Sequence, residues 1–319
     1  MERPILSARG AAGYLEALDN VLLLTHVRPD GDTIGSAAAL CRALRDCGQT
    51  AYLLPNPEIT ATYAPYAAPY WAPEGWQAEH IVSVDIADAS LLPENAQSYR
   101  DRIELAIDHH PSQTFFARNT CLEADSAACG EIVYEIIQHL TALTADIALP
   151  LYVAVSTDCG GFQYGNTTAR THRIAAALMD VVDVAAVNKM LFRTKSRVRL
   201  AMESRMVADM KLFDHQRVVV MEIPLSLRQE MQATDADIEE LSALPALVEG
   251  TDCGVTLREL KDGRVKISLR TGPRVNATEV CALLGGGGHA AAAGATLHGT
   301  LSEVKQAVLQ AIDMVAGED

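Results

Sequence analysis
The chain has 319 residues, 49% of them apolar, which is material for two domains of ordinary size with packed cores and no reason to invoke disorder. Asp and Glu number 41 against 26 Lys and Arg, a net charge of -15 that argues against a basic stripe for long nucleic acid and leaves room for a small phosphorylated substrate held by a few local cations. No run approaches the roughly 20 apolar residues of a membrane span. Met1-Glu2-Arg3-Pro4 opens no apolar stretch, so no secretory signal is expected, and the seven cysteines form no C-x-x-C pair, so a reducing cytoplasm is the expected setting.

In chain order, Val21 to Thr25 reads as a strand and Gly35 to Asp46 as a helix stopped by Gly48. Between them lies His26-Val27-Arg28-Pro29-Asp30-Gly31-Asp32, one imidazole and two carboxylates within seven residues of a strand end. Parallel α/β sheets bind their ligands at such strand ends. Taken alone, Pro29-Asp30-Gly31-Asp32 also has the composition of a simple turn. Ala51 to Leu54 is a second candidate strand. Asn56 to Gln77 reads as an irregular cover with its two tryptophans packed locally.

Ile81 to Val84 and Ile103 to Ile107 are buried strands, each ending at an aspartate. Asp85 ends the first; Asp88 suits a helix cap. The second runs into Asp108-His109-His110-Pro111. A buried strand that ends in three titratable side chains is costly unless they pair or bind a metal. Helices are expected over Ser126 to Leu143 and Ile147 to Val155. Asp158 follows, then Gly160-Gly161, which is a helix terminus and also a place for a ligand. These four segments together supply two imidazoles and four carboxylates, with Asp108 and His110 to spare. That nitrogen and oxygen set suits Mn²⁺, and less specifically Mg²⁺, Co²⁺ or Zn²⁺.

Thr168 to Asp180 and Val184 to Met210 read as helices, the second a connector. The C-terminal part reads as a strand at Val218 to Ile223, a helix, and a strand pair, Thr251 to Leu260 with Arg264 to Leu269, turned by Asp262-Gly263. A helix near Thr278 to Leu284 leads into Gly285-Gly286-Gly287-Gly288-His289, read as a loop. Leu301 to Val315 closes the chain as a helix.

The four acidic segments, in this order, resemble the four motifs of the DHH phosphoesterase superfamily, and Gly286-Gly287-Gly288-His289 with Ala292-Ala293-Gly294 resembles the DHHA1 signature. The motifs span residues 26 to 294. The resemblance implies an α/β fold: a parallel-sheet DHH domain with helices on both faces over residues 1–185, a helical linker over 186–212, and a smaller α/β DHHA1 domain over 213–319. It implies a hydrolase like the compact members that degrade short oligoribonucleotides (nanoRNA) and dephosphorylate phosphoadenosine phosphate, or those acting on cyclic di-AMP or pApA. It implies two divalent ions activating a water: His26 and Asp30 on one, Asp32, His109 and Asp158 on the other, Asp85 bridging. Asp108 would orient a neighbouring imidazole, His110 would face the phosphate, and Arg270 and His289 with the Gly286–Gly288 backbone would hold the far end of a short substrate. No membrane or long nucleic acid is expected as a partner, and a homodimer is compatible with the pattern. The competing readings are a family II inorganic pyrophosphatase, which shares the N-terminal motifs, and a silent nucleotide sensor.

Overall fold
Val21–Leu24 (β1) is apolar at all four positions because both faces of the strand are covered: Val21 and Leu23 enter one core, Leu22 and Leu24 another. The computed structural model describes residues 4–214, 217–238 and 240–316. The chain divides between Thr194 and Lys195 into two compact units.

The first unit is built on a five-stranded, all-parallel sheet in the order β2-β1-β3-β4-β5. The other strands are Ala51–Leu53 (β2), His80–Val84 (β3), Ile103–Asp108 (β4) and Asn119–Leu122 (β5). The fifth strand, Asn-Thr-Cys-Leu, escapes the sequence reading because it is short and half polar. One face carries the α-helices Ala8–Glu16 (α1), Gly31–Asp46 (α2), Cys129–Leu140 (α4), Ala145–Asp158 (α5) and Ala169–Met179 (α6). The short Ala64–Ala67 (α3) interrupts the irregular segment after β2, where Trp76 packs edge-on against Tyr52. The opposite face is covered by 3-10 turns at Ala89–Leu91 and Glu94–Arg102. Helical cover is thus on both faces, α on one and 3-10 on the other.

The sheet order reverses direction at β1: β2 lies on one side of it and β3 on the other. Crevices at such a switch point, outside the carboxyl ends of the strands, are where open α/β sheets take their ligands. The loops after β1 and β3 open there.

Ala185–Asn188 (α7) and a π turn at Lys189–Arg193 end the first unit. The second begins with Arg197–Ala208 (α8), so the expected continuous helix over 184–210 is broken in the middle. Its sheet has six strands in the order β10-β11-β9-β8-β7-β6. They are Lys211–Phe213 (β6), Val218–Ile223 (β7), Cys253–Glu259 (β8), Arg264–Thr271 (β9), Gly287–His289 (β10) and Ala292–His298 (β11). Among the described residues only the β7–β8 pair of this sheet is parallel. Asp262-Gly263 turns β8 into β9 as expected, with Gly263 at φ +78. Alternation along β7 feeds two cores: Val218 and Val220 face Ala277–Leu283 (α11) and Leu301–Ala316 (α12), while Val219, Met221 and Ile223 face α8, Leu225–Glu230 (α9) and Asp235–Ile238 (α10).

Candidate metal centre
Helix α2 starts four residues earlier than the sequence suggests, at Gly31 rather than Gly35. The reason is Asp30, whose carboxylate caps the helix by accepting from the backbone N–H of Asp32 and Thr33. The expected loop is therefore a capped helix start, and Asp32 sits in its first turn. Asp32 is almost wholly buried and accepts from Ser36 Oγ at 3.0 Å, Cys129 N at 2.6 Å and Gly130 N at 2.9 Å. Helix α4 has no side-chain cap of its own, so the Asp32 carboxylate serves its first amides from across the fold.

Asp85 follows β3 in the left-handed region, φ +61, which a non-glycine residue adopts only under constraint. Its own N–H is tied to the Ile107 carbonyl at 2.8 Å. The side chain is 3% exposed, and its Oδ1 has no hydrogen-bond partner.

Two imidazoles close on these carboxylates. His26 Nδ1 lies 2.8 Å from the Val27 carbonyl and His109 Nδ1 3.1 Å from the Ser126 carbonyl. A carbonyl only accepts, so each Nδ1 carries a proton, and in the neutral imidazole the lone pair is left on Nε2. His26 Nε2 faces Asp30 Oδ1 at 3.6 Å and Asp85 Oδ2 at 3.7 Å. His109 Nε2 faces Asp85 Oδ1 at 3.6 Å, Asp158 Oδ2 at 3.7 Å and Asp32 Oδ2 at 3.8 Å. Asp158 is the last residue of α5, with Gly160 and Gly161 in positive φ just beyond.

Separations near 3.7 Å are too long for direct hydrogen bonds and suit groups arranged around a common ion. Donor atoms converge within 4.8 Å in the sets His26–Asp30–Asp85 and Asp32–His109–Asp158, with Asp85 also close to His109 and His110. The unpartnered Asp85 oxygen and the two Nε2 atoms, each a lone-pair donor once its imidazole is neutral, are what divalent cations require. The residues fit such ions.

Charge crowding shows in the proton affinities. Burial, then the charges of Asp85, Asp158 and Asp30, push the Asp32 carboxyl well above its ordinary value. Burial raises Asp158 to about 6 against the pull of His109. Burial alone would depress His26, but the neighbouring carboxylates of Asp30 and Asp85 favour its charged form and carry it up to about 10.

The Asp108-His109-His110 run divides its work. Asp108 is fully buried; its Oδ1 accepts from His110 Nδ1 at 2.7 Å and from His109 N, and its Oδ2 from Gln113 Nε2 at 2.7 Å. The imidazole it orients is therefore that of His110, held by this bond at a pKa of about 9 in spite of burial.

The residues expected to hold the far end of the substrate all lie in the second unit. Arg270 pairs with Ala292, and Ala292 with His289, so Arg270 and His289 stand in one cross-strand row and share a face of the sheet. The glycine run is not a free loop: Gly287–His289 forms β10 against β11. Gly288, at φ +149, permits this approach; a Cβ there would stand 2.6 Å from the Ala292 carbonyl.

Gln113, Asn56 and Asn166 support the centre without any signal in the sequence. Asn56 donates to Thr25 Oγ1 and the His26 carbonyl, and Asn166 to the Ala127 and Asp158 carbonyls. Each lies in a loop rich in Pro or Gly, and bonding to a backbone oxygen leaves no residue pattern to find.

Residues 20–155 match the DHH family, N-terminal domain, and residues 217–318 match the DHHA1 domain. The chain is 31% identical to the bifunctional oligoribonuclease and PAP phosphatase NrnA of Thermus thermophilus, over 95% of this chain and 93% of the relative. It is 23% identical to the Bacillus subtilis protein of the same description, over 88% and 90%. An exopolyphosphatase-related protein from Bacteroides fragilis has the same fold, with a TM-score of 0.87 at 21% identity, over 96% of this chain and 95% of that one.

Proposed function
The chain belongs to the DHH family and carries a DHHA1 domain, and on that premise we propose that it is a divalent-cation-dependent phosphoesterase that hydrolyses nanoRNA and pApA and dephosphorylates phosphoadenosine phosphate. The observation that carries this reading is Asp85, a buried carboxylate in a left-handed conformation that faces the His26 imidazole through Oδ2 and the His109 imidazole through Oδ1, with Oδ1 lacking any hydrogen-bond partner.

His26 and Asp30 are assigned to one ion and Asp32, His109 and Asp158 to the other, with Asp85 shared. Mn²⁺ is the ion of choice and Mg²⁺ or Co²⁺ its substitutes. Such a pair acidifies a water and neutralises phosphate charge when bound. The protein's own groups do the rest. Asp108 keeps His110 protonated and fixed in direction, so His110 offers positive charge to a non-bridging phosphate oxygen. Carbonyls fix the tautomers of His26 and His109, so no reorientation is needed at the moment of reaction. Arg270, His289 and the backbone of Gly286, Gly287 and Gly288 are assigned to the far end of the substrate. Seven free cysteines agree with a reducing, cytoplasmic setting, and among the described residues no helix is long and apolar enough to cross a membrane.

The test is a turnover panel with Mn²⁺: phosphoadenosine phosphate, pApA, longer oligoribonucleotides, cyclic di-AMP and pyrophosphate. Turnover is expected on phosphoadenosine phosphate and on two- to few-residue RNA. Turnover of pyrophosphate alone would overturn the proposal, and tight nucleotide binding without turnover would convert it to a sensor.

A further inference from the structure
The segment Glu123–Gly130 feeds one cation position and leaves the other alone. Its Ser126 carbonyl accepts from His109 Nδ1, and its Cys129 and Gly130 amides donate to the two oxygens of Asp32. Both residues belong to the Asp32–His109–Asp158 set.

This segment is gripped from the start of α6 and from the loop before it. Arg170 Nη1 donates to Ser126 Oγ at 3.0 Å and to Glu123 Oε2 at 2.8 Å, and its Nη2 is 2.6 Å from Glu135. Glu131, 1% exposed, accepts from the Ala127 amide at 3.3 Å and from Thr171 Oγ1 at 2.6 Å. Asn166 closes the remaining gap: one amide nitrogen spans the Ala127 carbonyl at 2.9 Å and the Asp158 carbonyl at 3.1 Å. It joins the segment behind His109 and Asp32 to the third member of the set.

The other position has a separate support. Asn56, 5% exposed, donates to the His26 carbonyl at 2.8 Å and to Thr25 Oγ1 at 3.0 Å. Asp30 is held by the first amides of α2. Among the described residues, no hydrogen bond of Asn166, Arg170 or Glu131 reaches His26 or Asp30, and none of Asn56 reaches His109, Asp32 or Asp158.

We propose that Asn166, with Arg170 behind it, and Asn56 are positioning residues that set the affinities of the two cation positions independently, Asn166 for Asp32–His109–Asp158 and Asn56 for His26–Asp30. The inference rests on the two-cation reading above. Removing a partner that orients a ligand weakens metal binding by about 10- to 100-fold. Here that loss falls on one position at a time.

The experiment is calorimetric titration of the metal-free full chain with Mn²⁺, paired with electron paramagnetic resonance of free Mn²⁺ to count bound ions. Wild type, Asn166→Ala, Arg170→Lys and Asn56→Ala are compared, with thermal melts of each metal-free protein to establish that it is folded. Asn166 is exposed and Arg170→Lys retains a cation near Glu131 and Glu135, so these two variants guard against collapse. Expected is a loss of at least about tenfold in one binding step for Asn166→Ala, a smaller loss in the same step for Arg170→Lys, and a loss in the other step for Asn56→Ala. Equal weakening of both steps by either asparagine variant, or of neither, overturns the inference while leaving the two-cation reading intact. Wild type binding fewer than two ions overturns that reading, and this inference with it.

Discussion
Replacing Asp85 with Ala removes the carboxylate that both His26 and His109 face, and with it the one group common to the two ligand sets. Hydrolysis of pApA in Mn²⁺ is expected to fall to background; full retained turnover would sink the two-ion assignment. Asp108→Asn is a finer test. Asp108 is the largest of the influences that raise His110, so its neutral isostere lowers the His110 pKa from about 9 toward the ordinary 6.5. A group needed in its protonated form is then lost earlier as pH rises, so the alkaline limb of the kcat profile moves to lower pH. An unmoved limb excludes His110 as the titrating group. At this scale much was legible. His26, Asp30, Asp32, His109 and Asp158 lie in segments that follow apolar runs, and their side chains do converge, but Asp85 by itself reads as any aspartate after a strand. Its significance is conformational, a positive φ and an orphaned oxygen, and neither has a signature in residue type.

Between elements, α2 and α5 meet at Gly35, where a Cβ would overlap the Pro150 carbonyl and stand 2.8 Å from Ala154 N. Both sides of that contact are backbone, which cannot rotate away. Gly35→Ala is therefore expected to destabilise by about 1–3 kcal/mol, seen as a lower urea midpoint with unchanged slope. The same substitution at Gly13, whose Cβ meets nothing within 4 Å, is the control and is expected to be neutral or slightly stabilising. The contact matters for the centre because α2 carries Asp32 and α5 carries Asp158. Periodicity found both helices, and strand–helix alternation found the parallel sheet. What periodicity missed has specific causes. Helix α2 begins early because Asp30 caps it, β5 is too short and polar to show, and Gly287–His289 enters a sheet because β11 stands ready to pair with it.

Across the whole chain, net charge tells less than where the charge is gathered. The excess of 15 acidic groups weakens a grip on long polyanions, yet four of the carboxylates crowd one crevice, where folding without cations leaves them repelling. Protons take the place of cations in that state. His26 and His110 bind theirs up to about 10 and about 9, against an ordinary 6.5, so between those limits the folded chain holds more protons than the unfolded one. Stability then falls as pH rises, and the histidine contribution is complete only below about 6.5. Asp158, raised to about 6, works in the same direction over a lower window, since its proton is kept by the folded state and lost by the unfolded one. Bound divalent ions reverse the dependence, because they require neutral imidazoles and ionised carboxylates and bind more tightly as protons leave. Thermal melts at pH 6.5 and pH 8.5, in chelator and in excess Mn²⁺, separate these effects. The metal-free Tm is expected to drop on going to pH 8.5, and the increment given by Mn²⁺ to grow. His26→Gln, which cannot take up the proton, is expected to flatten the metal-free trend. A Mn²⁺ increment that shrinks with rising pH contradicts the linkage, because cations bound at this cluster compete with the same protons that stabilise it when they are absent.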